Sequence, residues 1–128
     1  MDTAMPRNMQ FAMSANQIRD KTKTVTRRIG WGFLRPGDIL NACVKCTGLR
    51  KGEKIQRLAQ IRIIRTRIEP LSRILKDEAY GAAEATKEGF KGWTGDQFVD
   101  MLSDHMELPF GIDTLVNRIE FEYVEIER

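Results

Sequence analysis

The chain has 128 residues, 41% of them hydrophobic and 30% charged, which suits one globular domain spanning 1–128 and excludes a chain too polar to build a core. No apolar run approaches the roughly 20 residues a membrane span needs, no charged-then-apolar signal segment opens the sequence, and two cysteines are too few for a disulfide framework, so a cytoplasmic protein without a membrane partner is expected. Lys plus Arg is 21 and Asp plus Glu is 18, a net charge of +3 that permits an anionic partner without requiring one.

The elements follow in chain order. A short strand is expected at 10–13. Ser14 then opens Ser-Ala-Asn-Gln, a capping-box pattern with Gln17, leading into a helix of about two turns that ends near Lys21. Residues 23–29 are rich in β-branched side chains and read as extended. Arg35-Pro36-Gly37-Asp38 is a turn: Pro presets φ at the first central position and Gly tolerates positive φ at the second. A strand is predicted over 39–46, a polar loop over 48–52, and a long strand over 55–68. The alternation of that strand changes phase at Ile63-Ile64, where a bulge is expected.

Glu69-Pro70 ends the strand and begins a helical region, with Gly81 weakening its middle and Gly89 as its end cap. Thr94-Gly-Asp-Gln97 is a second capping box. It precedes a helix with Phe98, Met101, Leu102 and His105 on one stripe. The last strand is predicted over 116–126, with Glu120 and Glu122 alternating against apolar neighbours, and is best placed at a sheet edge or a solvated barrel wall. The fold class is α+β: a mainly antiparallel sheet or small β-barrel with helices at one side.

The charges are uneven. Residues 19–28 hold five cations against one anion; Arg62, Arg65 and Arg67 add a second basic stretch, and Glu120, Glu122, Glu125 and Glu127 make the tail acidic. These charges read either as solvated strand faces or as two basic stretches that meet to form an anion-binding face.

Three places bear on chemistry. Cys43-Val-Lys-Cys46 is a CxxC without a second pair. In a strand these positions point to opposite faces, so ordinary reduced cysteines are expected rather than a zinc site. His105, the sole histidine, reads as a partly buried side chain of its apolar stripe. Lys23-Thr24-Val25-Thr26-Arg27-Arg28 is more informative. In a strand Thr24, Thr26 and Arg28 share a face, with Val25 and Arg27 on the other. Two hydroxyls beside a guanidinium suit an anion or a polar planar ligand, and an amine of lowered pKa at Lys23 would activate Thr26. The plain alternative is a surface strand of threonines and solvated cations. Glu88, just before Gly89, sits at the negative end of a helix dipole, a locally unfavourable place that can mark function.

Together, residues 17–28, the run Leu34-Arg-Pro-Gly-Asp-Ile-Leu40, the run Ala85-Thr-Lys-Glu88-Gly-Phe90 and the closing strand from Arg118 to Val124 resemble the ASCH domain, a member of the PUA-like superfamily of small β-barrels. The resemblance implies a cleft lined by the Lys-Thr-x-Thr-x-Arg strand and the helix end bearing the glutamate. It implies RNA or nucleoside binding, and in some bacterial members removal of the acetyl group of N4-acetylcytidine; others are described as ribonucleases. By motif, Lys23, Thr26 and Glu88 fall on the amidohydrolase catalytic set and Arg28 on a ligand-anchoring arginine, with Glu84 the alternative carboxylate. No cofactor and no metal are implied.

Three functions remain open on this reading. The first is a module binding RNA or a nucleoside in a basic cleft, using Lys23, Arg28, Thr24, Arg62, Arg65 and Arg67, with Trp31 or Trp93 stacking on a base or packing in the core. The second is an amidohydrolase acting through Lys23, Thr26 and Glu88. The third is a non-catalytic protein-interaction domain.

Overall fold

A computed structural model describes residues 6–105, 111 and 113–125. Ten short elements follow one another: β1 (Arg7–Gln10), a 3-10 turn (Ala12–Ser14), α1 (Ala15–Arg19), β2 (Val25–Arg28), β3 (Ile39–Cys43), β4 (Arg57–Pro70), α2 (Ser72–Lys76), α3 (Glu78–Lys87), α4 (Gly95–His105) and β5 (Leu115–Tyr123). The class is α+β, with one curled five-stranded sheet in the order β1-β3-β4-β5-β2. Only β1 against β3 is parallel; the other three pairings are antiparallel.

Several local signals act as their chemistry dictates. Gly37 takes φ +94°, and the Arg35 carbonyl accepts from the Asp38 N–H at 3.0 Å, closing the Pro-Gly turn. The β4–β5 register slips between Ile63 and Arg65, so the phase change in the sequence is a bulge at Ile64. Thr94 and Gln97 exchange hydrogen bonds at 3.2 and 2.9 Å, a complete capping box at the start of α4. Gly81 does more than weaken its helix. A Cβ there would lie 2.5 Å from the Ile74 carbonyl oxygen and 3.1 Å from the Gly95 Cα, so only glycine lets α2, α3 and α4 approach this closely.

Other expectations change. The first strand lies earlier, over Arg7–Gln10, because the chain turns into a 3-10 helix at Ala12. Ser14 precedes α1 but makes no capping hydrogen bond; the preceding 3-10 turn leaves it buried with non-extended backbone. The third strand stops at Cys43 rather than 46. Of the two places expected for the last strand, the sheet edge is not taken: β5 lies between β4, against which it pairs along its length, and β2, which pairs with residues 117–120, and Glu122 faces solvent as on a solvated wall. The acidic alternation has a further cause, since Glu122 and Glu120 face Arg62 and Arg65 across the ladder. Ile126, placed in that strand by sequence, lies outside the described residues.

Two apolar clusters hold the molecule. Met9, Phe11, Ile18, Leu40, Ile61, Ile63, Ile119 and Phe121 fill the concave side of the sheet. Leu71, Ile74, Ala85, Phe98 and Val99 join the three later helices. Each fully buried Leu, Ile or Phe contributes about 1.5–3 kcal/mol. The two edge strands, β1 and β2, are not paired with each other. Arg28 of β2 instead donates from Nη2 to the Gln10 carbonyl of β1 at 2.5 Å, spanning the place where the curled sheet stops short of closure.

Candidate active site at the open edge of the sheet

The site begins with β2 and what holds it. Lys23 precedes the strand, and its backbone is gripped from three directions. Its N–H donates to the Gln17 carbonyl at 3.2 Å, its carbonyl accepts from the Tyr123 hydroxyl at 2.6 Å, and the next N–H, of Thr24, donates to the Lys87 carbonyl at 2.8 Å. Lys21, at φ +64°, makes the tight exit from α1 that permits this. The strand mouth is thereby docked on the C-terminal end of α3.

Glu88 caps that end. Its backbone carbonyl and its Oε1 both accept from Lys23 Nζ, at 3.0 and 2.6 Å, and its Oε2 accepts from Arg27 Nη1 at 3.0 Å. The unfavourable position of a carboxylate at a helix C-terminus is thus offset by two cations, one of which also satisfies an otherwise orphaned helix carbonyl. Gly89 follows at φ +101°; a Cβ there would stand 2.6 Å from the Gln17 side chain, so the cap and the Lys23 clamp share one tight contact.

Behind Glu88 lies an ionic layer. Arg27 of β2 is the register partner of Arg118 of β5, which is in turn the partner of Arg67 of β4. Three arginines in a row across three strands repel one another unless carboxylates intervene. Glu84 and Glu88, one helical turn apart on α3, supply them. Glu84 accepts from Arg27 Nη2 and Arg118 Nε, each at 2.5 Å, and Glu69 accepts from Arg67 at 3.2 Å and from Tyr80 at 3.0 Å. The side chains of Arg27, Arg118, Glu69, Glu84 and Glu88 are almost wholly buried. Burial opposes the charge on Glu84, yet hydrogen bonds from Arg118 and Arg27 outweigh it and hold the carboxyl down at about 2.

A cavity of about 220 Å³ opens between the two sheet edges. Lys23, Thr26, Arg28 and Glu88 line it, with Gln10 of β1 and Ser14 of the 3-10 turn. Phe90, Phe98, Met101 and Leu102 form an apolar end, and His105 also lines the wall. Thr26 is 4% exposed, and its Oγ1 accepts from Arg28 Nε at 3.2 Å. The Arg28 guanidinium also lies over the Phe11 ring, 4.5 Å from its centroid. Burial pulls the Lys23 amine down from its ordinary value of 10.5, and Glu88 only partly restores it. Burial likewise brings Arg28 to about 10, still charged at neutral pH.

The cavity therefore brings together Lys23, Thr26, Arg28 and Glu88 from β2 and the end of α3. It does not include Thr24, Arg62, Arg65, Arg67 or Trp31, the other binding residues picked from the sequence. Thr24 is placed through its backbone and does not line the cavity. Arg62 and Arg65 meet Glu122 and Glu120 at 3.0 and 3.1 Å, and Arg67 meets Glu69 and the Tyr80 hydroxyl. The two basic stretches meet only where Arg27 and Arg67 share Glu69 and the Tyr80 hydroxyl, a contact neutralised by carboxylates, while Arg62 and Arg65 stay with the glutamates of β5. Trp31 packs beside the sheet core against Phe33, its backbone N–H donating to Asn117 Oδ1. His105 is exposed rather than partly buried, with Nδ1 on its own-helix Met101 carbonyl at 2.9 Å.

Arg27 is the residue sequence reasoning missed. Strand alternation puts it opposite Thr26 and Arg28, and its Nη1 and Nη2 do reach the carboxylates of α3, yet the residue also lines the cavity beside Glu88. The i, i+4 pair Glu84 and Glu88 was the available signal: two carboxylates on one helical face call for cations opposite.

No family model matches the sequence, and no relative is found among curated proteins. Among solved structures the chain is similar to a protein of Enterococcus faecalis V583 described under the family model DUF984, with a TM-score of 0.60, 20% identity, and coverage of 97% of this chain and 83% of that one. That likeness is one of fold. Among the described residues no helix is long and apolar enough to cross a membrane.

Proposed function

We propose that this is an ASCH-type, PUA-like domain whose cavity binds a nucleoside bearing an acylated exocyclic amine, and that Thr26, Lys23 and Glu88 remove the acyl group. The observation that carries the reading is the buried contact of Lys23 Nζ with Glu88 Oε1 in the same cavity wall as Thr26. A buried amine with a lowered pKa in the same cavity wall as a hydroxyl is a starting point for activating a threonine; at rest Lys23 Nζ is held by Glu88 and Thr26 Oγ1 by Arg28. A volume of about 220 Å³ lies below the roughly 300–1,000 Å³ of sites for drug-sized ligands, which favours one base over a stretch of strand.

In this mechanism the neutral Lys23 amine takes the Thr26 proton as the hydroxyl oxygen attacks the acyl carbon. Arg28 Nε, already donating to that oxygen, positions it, while the negative charge of the attack gathers on the acyl oxygen. Lys23 then passes its proton to the departing exocyclic nitrogen, leaving an acyl-threonine. A water molecule, deprotonated by Lys23, cleaves that ester and restores the hydroxyl. Glu88 orients Lys23 through both its carboxylate and its carbonyl.

The test is to incubate the full chain with N4-acetylcytidine and follow cytidine by chromatography. Turnover that Thr26→Ala abolishes and Thr26→Ser retains is expected. Saturable nucleoside binding without turnover, lost in Arg28→Ala, would replace the hydrolase with a binding module. Neither turnover nor binding would overturn both and leave a protein-interaction domain.

A further inference from the structure

Cys43 and Cys46 are separated by Val44 and Lys45, a spacing that a continuous strand would split between two faces. The strand does not continue. β3 ends at Cys43 and the backbone bends beyond it, which brings both cysteines onto the end of β1. Gln10 is the register partner of Cys43, and the Phe11 N–H donates to the Cys43 carbonyl at 2.7 Å. The Cys46 N–H donates to Oε1 of the same Gln10 at 2.8 Å. One residue of β1 thus holds both cysteines, and the Cys43 thiol donates to the Asn41 carbonyl at 3.6 Å. Both are free thiols. Cys43 is 1% exposed, whereas Cys46 is partly open to solvent.

We infer that Cys43 and Cys46 form a dithiol site that reacts with low-molecular-weight disulfides and closes into an intramolecular disulfide beside the cavity. The accessible Cys46 thiolate attacks one sulfur of the small disulfide, forming a mixed disulfide and expelling one small thiolate. The Cys43 thiolate then attacks the Cys46 sulfur and expels the second. Two protein S–H groups and one small disulfide become one protein disulfide and two small thiols. Burial, then the neighbouring Cys46, pushes the Cys43 thiol up to about 11. Where thiols are kept reduced, such a pair is a reversible site rather than a structural bond.

The site is wired to the cavity. Gln10 carries Cys46 on its side chain and Arg28 on its carbonyl, the latter at 2.5 Å. Fixing the bend by a disulfide acts on the same residue that anchors the Arg28 guanidinium. The dithiol chemistry itself does not depend on what the cavity binds.

The reduced full chain is treated with oxidised glutathione, and the products are read by intact mass and by thiol titration. In the wild type both thiols should disappear, with the mass of the chain less two hydrogens, and dithiothreitol should restore them. Cys43→Ala should stop at a glutathione adduct on Cys46. Cys46→Ser should stay unmodified, because its remaining thiol is buried. A wild type that keeps both thiols, stops at the mixed disulfide, or links two chains would overturn the inference.

Discussion

Lys23 Nζ lies 2.6 Å from Glu88 Oε1 although 65 residues separate them in the chain. The pair is nearly solvent-free on both sides, and Arg27 shares the same carboxylate at 3.0 Å. One carboxylate therefore answers two buried cations.

Removing that carboxylate leaves Lys23 without a counter-ion, while Arg27 keeps Glu84. Glu88→Gln keeps the shape but not the charge, and a buried pair broken on one side costs roughly 3–5 kcal/mol. Urea denaturation should show a lower midpoint at an unchanged slope. A change below about 1 kcal/mol would mean Lys23 finds water instead.

Glu84 gives an acid limit to stability. Its folded carboxyl sits at about 2, below its ordinary 4.5. A depressed acid stabilises above its unfolded value and loses that contribution as pH falls through the folded one. The contribution is on the order of 3 kcal/mol, present above about pH 4.5 and gone near pH 2. The wild type should therefore lead Glu84→Gln in urea at neutral pH, and that lead should shrink on acidification. A lead independent of pH would refute the assignment.

Lys23 sets an alkaline dependence of opposite kind. Burial lowers its pKa from 10.5, so the neutral amine that deprotonates Thr26 appears as pH rises through a value below 10.5. Turnover of acylated nucleoside should rise along that limb. Because Glu88 raises the Lys23 pKa, the limb in Glu88→Gln should move to lower pH, whatever rate remains. A shift the other way would remove Lys23 from the role.

Two glycines separate strain from site geometry. Gly89 and Gly92 both have positive φ, at +101° and +86°. Alanine at either carries backbone strain of about 1–2 kcal/mol. Only at Gly89 would its Cβ meet Gln17, at 2.6 Å, and stand 3.4 Å from the Lys23 Cβ. Thermal melts should fall for both variants, whereas turnover per folded molecule should fall for Gly89→Ala alone.

The arginines of β4 test where an anion binds. Arg62 and Arg65 are exposed partners of β5 glutamates, and such pairs contribute about 0–1 kcal/mol. Arg62→Ala and Arg65→Ala should leave nucleoside affinity unchanged in calorimetry, while Arg28→Ala should abolish it. Weakened binding in the β4 variants would move the ligand out of the cavity.

What the sequence determined is local or carried by resemblance. β-branched runs placed β2 and β4, the phase change placed the Ile64 bulge, and Thr94 with Gln97 placed the start of α4, because each depends on neighbours within a few residues. The motif resemblance singled out Lys23, Thr26, Arg28 and Glu88. Tertiary structure decided the rest. The acidic last strand went to the interior of the sheet, where its glutamates meet Arg62 and Arg65 and Arg118 meets Glu84 of α3. Arg27 joined the cavity wall, and the two cysteines came to one glutamine, because an edge strand and a bend obey long-range partners rather than alternation. The energy of buried charges depends on which opposite charges surround them in space, and chain order does not contain that information.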